Sequence, residues 1–130
     1  MKELKFKAWC APKIGRQFRS SYKPFMTDEF TFKDFDEDYF VPEGIYIEDM
    51  EIIQFTGKYD ADINGRKIFD TDIIENCDTK ELQVVYWNEG KAAWYCRYIK
   101  DSDIIVSLAD SLGSLNKKIG NSYENPELLK

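Results

Sequence analysis

Three groups of residues have types and spacings that could do chemistry. Asp60, Asp62, Asn64 and Gly65 spell D-x-D-x-N-G, the opening of a calcium loop. Such a loop needs a bidentate Glu at its twelfth position, where this chain has Thr71, and an apolar eighth position, where it has Lys67. Asn-Gly also has an independent reason to be there, because both residues tolerate the positive φ of a tight hairpin turn. Asp70, Asp72 and Glu75 form a second group, the carboxylates of a magnesium-dependent nuclease if they converge. Asp70 and Asp72 share a face only where the chain is extended, and the plainer reading is surface carboxylates at the start of a strand. The third group is Trp87, Trp94, Tyr95 and Arg97. With the basic residues Lys5, Lys7, Arg16 and Arg19 it could stack and neutralise single-stranded nucleic acid. Packing in the core or at a subunit interface is preferred for these aromatics, since rings on alternating strands are normally buried. Gly57 and Gly65 make no phosphate loop, because no Lys-Ser/Thr ending follows.

Composition narrows the chemistry further. The chain has no His, which removes the usual general base of serine and cysteine hydrolases and the commonest zinc ligand. Cys10, Cys77 and Cys96 are an odd, widely spaced set with no CxxC, so neither a disulfide framework nor a zinc ribbon is expected, and free thiols fit a reducing cytoplasm. No catalytic residue, cofactor or metal site is therefore assigned. The net charge of −6 argues against nucleic-acid binding through bulk charge. Charge is uneven, however. Residues 1–23 carry seven basic groups and one acid, whereas residues 27–51 carry ten acids and one Lys. Mutual attraction of these segments is preferred to a basic binding arm. The start, MKELKFKAW, alternates charged and apolar residues and does not read as a signal peptide. No apolar run approaches the ~20 residues that span a bilayer, so no membrane partner is expected.

The elements that would position these residues are mostly strands. At 130 residues and 43% hydrophobic content the chain can bury a core without staples, and its 15% aromatic content favours strands. Residues 4–9 alternate with period two. Residues 16–28 read as a loop, residues 29–35 as a strand, and residues 34–38 as an acidic loop. Residues 45–47 and 50–55 read as strands, the second closed by Thr56-Gly57. Asn64-Gly65 reads as a two-residue hairpin turn, with residues 66–69 and 72–74 following it on the C-terminal side. The clearest hairpin is residues 81–88 with 91–99, turning at Gly90. Both its faces carry aromatics, so it is covered on both sides or offers one face to a partner. Residues 103–112 fit a short helix or a turn, and residues 118–122 a last strand ended by Asn125-Pro126. Many short strands with regular turn signals suit a small barrel or sandwich.

Several of these strings occur together in a recognisable order. KFKAW at residues 5–9, QFTG at 54–57, NGRKIF at 64–69 followed by Asp72-Ile73-Ile74, and IGN at 119–121 through Tyr123-Glu124-Asn125-Pro126 resemble the YopX family of phage and prophage proteins. The chain departs in a longer stretch between Gly57 and Asn64, and in Asp70-Thr71 where the family usually has Glu-Gly. The resemblance implies an α+β or extended N-terminal part, residues 1–53, and a small SH3-like β-barrel, residues 54–130. It also implies a phage or prophage origin and ring-like homo-oligomers, and it carries no catalytic residues. The expected function is a non-enzymatic, self-associating accessory module that binds a phage or host protein. The alternative is nucleic-acid binding through Lys5, Lys7, Arg16, Arg19, Trp94 and Arg97.

Overall fold

The computed structural model describes residues 5–11, 24–31, 50–62, 65–113 and 115–130. Arg16, Arg19, Asn64 and the expected elements at 34–38 and 45–47 lie outside the described residues. The described residues are mostly β. It divides into two compact units, Met1–Gln54 and Phe55–Lys130.

In the first unit, β1 (Lys5–Cys10) is the central strand. Along one side it pairs antiparallel with β2 (Phe25–Met26) and β3 (Phe30–Thr31). Along the other it pairs with the first half of β4 (Met50–Tyr59), with Ala8 opposite Ile52. Period-two alternation places Ala8 and Phe30 in a small core closed by Phe6 and Met50. Phe25–Met26 falls in the stretch read as loop. Two residues carry no periodicity, and their strand exists because Trp9 and Cys10 supply the ladder.

In the second unit, β4 does not end at Thr56-Gly57. It continues to Tyr59 and pairs with β5 (Lys67–Phe69) across a register shift between Phe55 and Lys58. Gly57, at φ 86°, provides the left-handed conformation that such a bulge uses. The β4–β5 connection spans residues 60–66, longer than a two-residue hairpin. Gly65 in it has φ 60°.

Asp70 and Thr71 then turn the chain into β6 (Asp72–Asn76). A five-stranded antiparallel sheet follows in the order β10-β6-β7-β8-β9, with β7 (Leu82–Asn88), β8 (Ala93–Tyr98), β9 (Ile105–Ser107) and β10 (Asn116–Asn121). The expected hairpin at 81–99 is β7–β8, with Val85 opposite Cys96 and Trp87 opposite Trp94. The ambiguous stretch 103–112 resolves into β9 and a one-turn helix, α1 (Leu108–Leu112). The Ser107 hydroxyl accepts the Asp110 N–H at 3.1 Å and caps that helix. The inner face buries Ile68, Ile74, Val85, Cys96 and Leu108, with Trp94, Val106 and Leu112 against them. The chain ends in a 3₁₀ turn, Pro126–Leu129.

Candidate functional site

The acids singled out by spacing hold the fold together. Asp60 is buried, and its carboxylate accepts the N–H groups of Asp62 (3.0 Å), Arg66 (2.9 Å) and Lys118 (2.8 Å), with the Arg66 Nε at 3.2 Å. Burial pushes its pKa up. The three N–H donors and the Arg66 charge outweigh that, and the net direction is below the usual carboxylate value. Both oxygens are thus committed to closing the 60–66 loop and tying it to β10. Asp72 accepts the Phe69 N–H at 2.7 Å and pairs with Lys118 Nζ at 3.0 Å. The same ammonium lies 5.5 Å from the Phe69 ring centroid. Burial raises the Asp70 carboxyl, and the Thr71 N–H offsets part of that rise. Asp72 and Glu75 are three apart on one strand and point to opposite faces, so the nuclease-like trio does not converge. Among the described residues no cluster of three His, Cys, Asp or Glu side chains could hold a metal.

The aromatic group is also divided. Trp94 and Arg97 are three apart on β8 and fall on opposite faces. Trp94 stands on the inner face, edge-on to Trp87 at 5.2 Å between ring centroids. Tyr95 and Arg97 stand on the outer face beside Tyr86, with the Arg97 guanidinium 4.8 Å from the Tyr86 ring and Lys91 Nζ 5.9 Å from the Tyr95 ring. Lys5 and Lys7 share a face of β1 in the first unit. Cys96 is fully buried in the core, and burial pushes its thiol up to about 11. Burial likewise raises Cys10.

Two features were not singled out by spacing. The first is the outer face of β7–β8–β9. Register sets Val84 beside Arg97 and Tyr86 beside Tyr95, and carries Ile105 next to Arg97. These form a contiguous Tyr-, Arg- and aliphatic-lined strip with Ile105 36% exposed.

The second is a polar cavity of about 130 Å³ on the inner side of the same sheet. Asn76 of β6, Gln83 of β7, Tyr98 of β8 and Val106 of β9 line one wall. Asn116 of β10, paired with Asn76, belongs to the same sheet wall, and Asp110 and Ser111 of α1 line the cavity from the helix. Ser111 Oγ donates to Gln83 Oε1 at 2.7 Å, and Asn116 Nδ2 donates to the Ser111 hydroxyl and carbonyl oxygens. Asn116 is 1% exposed, and its Oδ1 has no hydrogen-bond partner among the described residues. The sequence signal for this cavity was Gln83, a polar residue at an inner-face position next in parity to Val85.

The tail string also has a geometric basis. Asn121 Oδ1 accepts the N–H groups of Tyr123 (3.0 Å) and Glu124 (2.8 Å). Asn125 Oδ1 accepts the Asn121 N–H at 3.2 Å and lies where a Cβ on residue 120 would be, at 2.2 Å from it. Only glycine fits beneath that amide.

These features define a mostly-β protein with a five-stranded antiparallel sheet in its C-terminal unit and polar junctions that fix its turns. The YopX protein family model matches residues 5–130, and the chain belongs to that family. The crystal structure of protein EF1440 from Enterococcus faecalis is similar in fold, with a TM-score of 0.50, 20% identity and 98% of each chain covered. No curated protein matches the chain. Among the described residues no helix is long and apolar enough to cross a membrane.

Proposed function

We propose that this protein is a non-enzymatic, self-associating interaction module of a phage or prophage, acting in the bacterial cytoplasm. One observation carries the reading. The outer strip of β7–β8–β9 brings Val84, Tyr86, Tyr95, Arg97 and Ile105 side by side in register. Tyr and Arg with aliphatic neighbours are the residue types that dominate the energetics of protein interfaces. Arg97 stacked on Tyr86 gives the strip a rigid centre, since planar guanidinium on a ring loses little freedom on binding. The non-enzymatic part is supported by how the candidate acids are used: Asp60 and Asp72 spend their oxygens on backbone N–H groups and on Lys118. The family membership supports the phage or prophage context. Multi-angle light scattering across a dilution series tests self-association. The expected result is a mass above one chain that falls on dilution. One chain's mass at every concentration refutes it.

A further inference from the structure

We infer that the outer strip of β7–β8–β9 takes an acidic, aromatic segment of a second copy of this chain, residues 34–40, so that the two copies in a contact use different surfaces. This rests on the self-association reading and names what the strip binds. The strip's charge is the starting point. The Arg97 guanidinium lies 4.8 Å from the Tyr86 ring centroid and Lys91 Nζ 5.9 Å from that of Tyr95, and both cationic residues are exposed. Neither forms an ion pair with a carboxylate of the described residues, in a chain where 24 acids face 18 basic residues. A guanidinium stacked by its face on a ring keeps its in-plane N–H donors, and their fork fits a carboxylate.

Strip against strip would gather Arg97 and Lys91 of both copies on one small patch, and like charges so placed repel. The strip therefore calls for a surface of opposite charge that also brings apolar rings to cover Val84 and Ile105. Residues 34–40, DFDEDYF, combine the two, with four acids and three aromatics, and no other run of seven in the chain does so. They lie outside the described residues. The basic stretch 1–23 cannot neutralise this region in full, since its seven basic groups and one acid meet ten acids and one Lys in residues 27–51. Acids are left over for a partner. Asp60 and Asp72 are not alternatives, because their oxygens are held by N–H groups and Lys118.

The test compares three full-length proteins by sedimentation velocity: the wild type, a strip variant (Lys91→Glu with Arg97→Glu) and a segment variant (Asp34→Asn, Asp36→Asn, Glu37→Gln and Asp38→Asn). The wild type should assemble, and each variant alone should associate about tenfold more weakly or less. An equal mixture of the two variants should give a two-chain species, because one still offers its segment and the other its strip. A synthetic peptide of residues 33–41 should lower the wild-type mass toward one chain, and its Asn/Gln counterpart should not; this arm depends on no variant's folding. A segment variant that assembles as well as the wild type or better, a mixture that stays at one chain's mass, or wild-type assembly indifferent to the peptide overturns the inference and leaves self-association standing. A wild type of one chain's mass at every concentration removes both.

Discussion

Replacing Gly120 with Ala tests how the tail is built. The new Cβ would lie 2.2 Å from Asn125 Oδ1, 2.7 Å from its Cγ and 3.3 Å from its Cβ. The first two distances are untenable, so the Asn125 amide must swing away. It then releases the Asn121 N–H, which it accepts at 3.2 Å in a partly buried setting. An abandoned donor of this kind costs about 1–3 kcal/mol. Ala recovers about 0.5–1 kcal/mol over Gly by restricting the unfolded chain. The net loss for Gly120→Ala is therefore about 1–2 kcal/mol. Asn125→Ala removes the obstructing Oδ1 and Cγ and keeps only the tight 3.3 Å contact, so Gly120→Ala in that background should cost close to nothing. Urea unfolding followed by tryptophan fluorescence, with Trp87 and Trp94 in the same unit, gives the four stabilities of the cycle. A coupling of about 1 kcal/mol or more is expected between two residues in direct contact. Equal costs of Gly120→Ala in the two backgrounds would refute the steric account.

Thr71 sits at φ 70° with a buried hydroxyl that has no partner among the described residues. Thr71→Gly should stabilise the protein by about 1 kcal/mol, the left-handed strain and stranded hydroxyl outweighing the entropy of glycine, as read from thermal unfolding. The depressed Asp60 carboxyl contributes stability that is complete above its unfolded pKa, about 3.9, and is lost as pH falls from there through its lower folded value. Asp60→Asn should therefore be less stable at neutral pH and show a shallower acid limb below about pH 4 in urea midpoints measured against pH. Cys96, with its thiol pushed up to about 11, and buried Cys10 should resist a disulfide-exchange reagent in the native state, while half-buried Cys77 reacts first; peptide mapping of the labelled thiol checks the order.

The β7–β8 hairpin was legible because two apolar, aromatic-rich runs flank a turn at Gly90. Residues 66–69 and 72–74 were legible as short apolar runs after Asn64-Gly65, and they fall in β5 and β6. Gly57 was misleading: in a strand it reads as a stop, and here it serves a bulge that lets β4 run on to Tyr59. Phe25–Met26 was invisible because so short a strand is created by its partner. The separation of Trp94 from Arg97 was available in the spacing, since an offset of three in a strand changes face. The cavity was not available. Gln83, Ser111 and Asn116 come from three elements with no fixed spacing, and only the closing of α1 over the sheet brings them together. The acids illustrate the same gap. Their spacing suggested ligands, while the hydrogen bonds of Asp60 and Asp72 are to N–H groups brought in by β10 and β5, far away in sequence for Lys118.

Sedimentation velocity of the wild type beside Arg97→Glu addresses the central claim most directly. Arg97 is exposed, so the reversal of charge should leave the fold intact while setting a carboxylate against the Tyr86 ring on the outer strip. The account predicts a wild-type species heavier than one chain at tens of micromolar and a single-chain species for Arg97→Glu. A wild type that sediments as one chain, or an Arg97→Glu variant that assembles as well as the wild type, contradicts it.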